Sequence, residues 1–173
     1  MRRTCCWKAS LTGVRSMSEG TFQTSRLTSL TGLLLPLSDR HLLLPNVAVA
    51  ELIDYQDSSA EPGAPEWFLG LISWRELSLP LLSFEAACGG RTRVGGRARI
   101  VVLNALGGRN GIRFIALLTQ GIPRSCKVDS QLSYVDVPLA ELELAAVQIG
   151  ETVARIPDLE GLEQWLVDAG LAP

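Results

Sequence analysis

Between residues 30 and 156 the apolar residues arrive in short runs, each cut by Gly, Pro, Asn or Asp before a stable helix could form. That punctuation predicts strands. Residues 33–37 and 42–44 flank Ser38-Asp39-Arg40, which reads as a hairpin turn. Val47, Val49 and Leu52 continue with partial alternation. Residues 57–65, DSSAEPGAP, read as a loop, because Pro62 and Pro65 lack donors and Gly63 is permissive. Two runs, 67–73 and 77–82, hinge at Trp74-Arg75-Glu76, with Leu69, Leu71, Leu77, Leu79 and Leu81 expected to point inward.

One helical turn is expected over 83–88. Strands over 99–106 and 112–120 are joined by Gly107-Gly108-Arg109-Asn110-Gly111, a connector tolerant of positive φ. Residues 146–149 and 152–156 repeat the arrangement around Gly150-Glu151. Asp158 is an expected N-cap for a closing helix, Leu159, Leu162 and Leu166 give it an apolar stripe, and Gly170 ends it. About nine or ten short strands with turns every ~8–12 residues predict an all-β barrel or sandwich. A doubly wound α/β fold would need long crossover helices, and the sequence has none.

A hydrophobic fraction of 47% over 173 residues suffices for one domain, or two small lobes sharing a core. No apolar run reaches the ~18–20 residues that span a bilayer, so direct membrane insertion is not expected. Cys5, Cys6, Cys88 and Cys126 lack Cys-x-x-Cys spacing and His41 is the only histidine, so neither a metal site nor a disulfide framework is expected. Reduced thiols and a cytoplasmic location follow. The first sixteen residues are basic, acid-free and rich in Ser and Thr. An unstructured or mis-started extension is therefore expected over residues 1–25, with the domain over 26–170.

The net charge of −2 conceals a segregated layout. Residues 86–127 hold eight Lys or Arg and no acid, whereas residues 128–173 hold nine acids and one Arg. The two thirds could complement one another across a lobe boundary or serve different partners, and the sequence does not choose.

Catalytic constellations are missing. His41 has no evident paired group, and there is no Gly-x-Ser-x-Gly elbow. The glycines of GGRTRVGGR match neither phosphate-loop pattern. Glu141 and Glu143 alternate with Leu, which predicts a solvated face. No enzyme activity and no cofactor are expected. Arg91, Arg93, Arg97 and Arg99 leave one alternative, a small nucleic-acid-binding barrel using the basic loop 89–99. Residues 86–127 supply only Phe114 as a stacking platform, so nucleic acid is not the preferred partner.

If the two strands around Trp74-Arg75-Glu76 face inward, Arg75 projects from a rim against Trp74 with its guanidinium hydrated. That suits a protein interface; a turn arginine without a task fits the spacing as well. The surrounding pattern goes further. Gly70-Leu71-Ile72-Ser73-Trp74-Arg75, followed by Leu79-Pro80-Leu81-Leu82, resembles the signature of CheW-like chemotaxis coupling proteins. Val49-Ala50-Glu51-Leu52, RIVVLNALGGRNGIRFIALLTQGI and IGETVARIPDLEGL resemble further blocks of that family, in order, over roughly residues 30–166.

The resemblance implies two five-stranded β-barrel subdomains sharing a core, with short helices and a C-terminal helix. It implies a non-enzymatic adaptor between the cytoplasmic tips of chemoreceptors and the regulatory domain of a CheA-type histidine kinase. On matching positions Val49, Glu51, Gly70 and Arg75 correspond to the receptor-facing groove: Arg75 as the main contact, Glu51 as a nearby polar contact, Val49 as apolar contact, and Gly70 allowing close backbone approach. Ser73 stands for the usual Asn and Glu76 for the usual Gly, so a turn without positive φ at residue 76 is expected. Ser83 and Thr119 stand where Asp is frequent. These departures resemble accessory members serving type IV pilus and twitching-motility systems.

Overall fold

Continuous apolar stretches such as IVVL and FIALL require strands with both faces covered, and the architecture supplies two coverings. A computed structural model describes residues 29–60, 62–108, 111–129 and 132–172. The extension expected over residues 1–25 lies outside them, as do Arg109 and Asn110. In chain order the described elements are β1 (Leu30–Pro36), β2 (His41–Pro45), a 3-10 turn (Asn46–Ala48), β3 (Val49–Asp54), β4 (Phe68–Trp74), β5 (Leu77–Leu82) and α1 (Phe84–Ala87). There follow β6 (Arg99–Asn104), β7 (Phe114–Thr119), β8 (Arg124–Val128), β9 (Ser133–Tyr134), β10 (Glu143–Ile149), β11 (Thr152–Pro157) and α2 (Leu159–Asp168).

They form a six-stranded sheet, β8-β1-β2-β11-β10-β9, and a five-stranded sheet, β3-β6-β7-β5-β4. Each sheet encloses its own cluster. Ile72, Trp74, Leu79, Leu81, Ile100, Val102, Ala116 and Leu118 fill the five-stranded unit, and Leu34, Leu43, Val147 and Ala154 the six-stranded one. The alternate residues of the same strands, Leu35, Leu42, Leu44, Val101, Leu103, Ile115 and Leu117, meet in a shared core that α2 covers with Leu159, Leu162 and Leu166. One parity of each central strand thus faces its own barrel and the other faces the seam. That is why these strands read as unbroken apolar runs.

The helix ends follow local chemistry. The Asp158 carboxylate accepts from Gly161 N at 2.8 Å, and Gly170 closes α2 at φ 67°. Ser83 caps α1 by accepting from Ala86 N, and Thr119 Oγ1 donates to the Gly121 carbonyl at 3.0 Å.

Several expectations are corrected. On β4 the inward residues are Phe68, Ile72 and Trp74, whereas Leu71 is 50% exposed and Leu77, on β5, 39%. Alternation counted from the buried Trp74 puts Ile72, Gly70 and Phe68 inward and leaves Leu71 on the opposite face. Glu143 lies buried rather than on a solvated face, because a bulge between Glu143 and Ala145 turns it inward. Its carboxylate accepts from Arg40 Nη1 and from Ala140 N. Val47 belongs to the 3-10 turn before β3 and is 82% exposed. The polar strands β8 and β9 carry no apolar run and went unpredicted.

Candidate functional site

Register fixes the turn at residue 75. Trp74 pairs with Leu77, leaving Arg75 and Glu76 as the whole loop of the β4–β5 hairpin. Both adopt positive φ, 46° and 64°. A two-residue loop that matches the right-handed twist of its strands demands this, and Asn-Gly usually supplies it. The expectation that Glu76 abolishes positive φ is therefore overturned: strand twist wins, and each non-glycine residue carries roughly 1–2 kcal/mol of left-handed strain.

The turn aims Arg75 back across its own strand. Its guanidinium lies over the Trp74 ring, 4.8 Å from the centroid. Nη2 lies 2.7 Å from Glu51 Oε2, the same oxygen that accepts the Trp74 Nε1 hydrogen at 3.0 Å. Trp74 is buried and meets Phe114 edge to face at 4.9 Å. The Arg75 side chain nonetheless remains 68% exposed. A cation held on an aromatic shelf and clamped by a carboxylate is already ordered, so less entropy remains to be lost on docking.

The other two residues sit apart from this contact. Val49 is half-buried at the start of β3, opposite Leu103 and packed on the shared core. Gly70 is buried, at φ 118°, and a Cβ there would stand 2.5 Å from the Ser59 carbonyl oxygen. The close approach at Gly70 is made by the chain's own loop, which Ser58 Oγ fastens to the Leu69 carbonyl at 2.8 Å. A cavity of about 550 Å³ opens beside it, lined by Ser59, Gly70, Leu71 and Leu171 among others. Sequence reading missed the exposed Leu71, although alternation counted back from Trp74 would have found it.

Elsewhere several ionisable groups serve structure. The Arg40 guanidinium holds the Asp39 carboxyl below the usual carboxylate range. Burial pushes the Cys88 thiol up to about 11. Glu85 is buried and accepts from Ser38 N, Ser38 Oγ and Ser83 Oγ. Glu163, also buried, accepts from the amides of Leu106 and Gly107. Among the described residues no group of three His, Cys, Asp or Glu is placed to hold a metal, and no helix is long and apolar enough to cross a membrane. Phe114, the stacking platform that a nucleic-acid reading requires, is half-buried against Trp74, with Arg113 6.0 Å from its ring centroid.

Comparison with known proteins agrees with this architecture. A family profile described as CheW-like domain matches residues 31–166. A solved structure, the scaffolding protein TtCheW from Thermoanaerobacter tengcongensis, superposes with a TM-score of 0.65 at 16% identity, covering 80% of this chain and 90% of that one. No curated protein sequence gives a significant match.

Proposed function

The chain belongs to the CheW-like family, and from that premise we propose that it is a non-enzymatic adaptor coupling chemoreceptors to a CheA-type histidine kinase. Arg75 carries this reading. It is a cation whose head is exposed while its orientation is fixed by Trp74 and Glu51. A helical receptor tip with carboxylates or free carbonyls would meet the guanidinium donors that Glu51 leaves open, held in a rigid fork. Glu51 sets the position of that fork, Val49 supports the edge strand beneath it, and Gly70 lets the loop at Ser59 close over β4.

The adaptor acts in the cytoplasm, reaching the membrane through its receptor partner. Ser73 on β4 and Glu76 in the turn set it apart from the usual family signature, and we assign it to an accessory system controlling type IV pilus motility. Co-sedimentation of receptor cytoplasmic fragments, a CheA-type kinase and this protein tests the coupling. Kinase recovery with the receptor should depend on the adaptor; recovery that is the same without it would refute the reading. Loss of twitching on gene deletion, with swimming intact, tests the pathway assignment.

A further inference from the structure

The loop between α1 and β6 offers a second surface that the Arg75 contact does not explain. Arg91, Arg93 and Arg97 are exposed, and among the described residues none of them forms an ion pair. The nearby acids are already engaged, Asp39 by Arg40 and Asp54 by Arg99. The loop is also held in shape. Gln120 Oε1 accepts from Gly95 N at 3.0 Å, its Nε2 donates to the Arg93 carbonyl, and its own amide donates to the Pro36 carbonyl at 2.8 Å. Three cations without an ion-pair partner among the described residues thus stand on a braced frame.

Beside them lies an open cavity of about 440 Å³, lined by Pro36, Arg97, Arg99, Gln120, Gly121 and Ile122. Ile122 is 67% exposed and Val94 52%. Guanidiniums interleaved with aliphatic surface, and no exposed aromatic, fit a peptide carrying carboxylates and aliphatic side chains better than a stack of bases.

Position completes the argument. Trp74, under Arg75, meets Phe114 at the start of β7, whereas Gln120 braces the basic loop just past the end of β7. Six strand residues separate the two by about 20 Å. The surfaces lie at opposite ends of the five-stranded sheet and can be occupied together.

We propose that Arg91, Arg93 and Arg97, with Val94 and Ile122, form a docking surface for an acidic, aliphatic segment of a protein partner, separate from the Arg75 site. The inference does not depend on the adaptor reading. The test uses the full chain and three fluorescent probes: a peptide repeating Glu-Glu-Leu, its Lys-Lys-Leu counterpart, and oligothymidylate. The glutamate peptide alone should bind. Its affinity should fall at least about tenfold as screening shortens from ~10 Å to ~3 Å between about 0.1 M and 1 M salt. Backbone amide shifts on binding should cluster at residues 91–99 and 120–122.

The triple variant R91E/R93E/R97E should lose at least about tenfold in affinity, because it sets like charges against the peptide. Arg75→Ala should bind the peptide as the wild type does. Equal binding by the triple variant, shifts clustered at the Arg75 turn, or tighter binding of oligothymidylate would each overturn the proposal. Circular dichroism of the triple variant checks that it remains folded. Were it unfolded, the single reversal Arg97→Glu, read by the same shifts, decides the matter.

Discussion

Glu51 stands on the edge strand β3 and Arg75 in the turn that follows the opposite edge strand β4, and their side chains meet at 2.7 Å. With Trp74 Nε1 on the same carboxylate, this contact draws β3 and the β4–β5 tip together without a backbone ladder between them. The same pair closes the barrel and orients the exposed cation, so its two halves should fail differently when cut.

Removing Arg75 costs an exposed ion pair, worth about 0–1 kcal/mol. Removing Glu51 also strips the acceptor from a buried indole, a further ~1–3 kcal/mol. Urea titration should therefore rank Glu51→Ala as clearly less stable than Arg75→Ala. The opposite order would mean that Glu51 does not bridge the edges.

Glu76→Gly should stabilise the protein. Glycine relieves left-handed strain at φ 64° but loses more entropy on folding, which leaves a net gain of about 0.5–1 kcal/mol. A thermal melt that falls on this substitution would show that the Glu76 side chain supplies an interaction outweighing the strain.

Gly70→Ala should destabilise by about 2–4 kcal/mol, because φ 118° disfavours any side chain and the new Cβ would strike Ser59 backbone. The denaturation midpoint should drop with little change in slope. An unchanged midpoint would require the loop over residues 57–60 to swing away freely.

The architecture was readable wherever local chemistry acted alone. Ser38-Asp39-Arg40 announces its turn, Asp158 its cap and Gly170 its stop, and all three stand where expected. Parity was not readable on β10, because a bulge shifts the alternation and only the partner strand reveals it; on β4 it was readable from Trp74, whose parity buries Ile72 and exposes Leu71. Buried carboxylates were equally hidden. The buried Glu143 is met by Arg40, 103 residues away, as well as by Arg155 and the Ala140 amide, and Glu163 by amides 56 and 57 residues away. The family resemblance singled out Val49, Glu51, Gly70 and Arg75, but nothing in the sequence announced that Glu51 and Arg75 touch.

Arg40→Met should cost about 3–5 kcal/mol, since it takes the guanidinium from a buried Glu143 carboxylate. The double variant Arg40→Met/Glu143→Leu should recover much of that loss. Equal stability of the single and double variants would show that the pair is not coupled.

Cys88 should alkylate slowly near neutral pH and faster as the solution approaches pH 11, the value to which burial raises its thiol. Peptide mass mapping after timed iodoacetamide exposure separates it from the other cysteines. Fast modification of Cys88 at neutral pH would contradict the packing around α1.

The central claim is that Arg75 is an ordered docking cation whose own contribution to stability is small. The most direct measurement is the affinity of a receptor cytoplasmic tip for the wild type and for Arg75→Ala, beside their unfolding curves. A loss of at least about 2 kcal/mol in binding, roughly 30-fold, with stability within about 1 kcal/mol of wild type is the predicted result. Undiminished binding by a folded Arg75→Ala protein would contradict it.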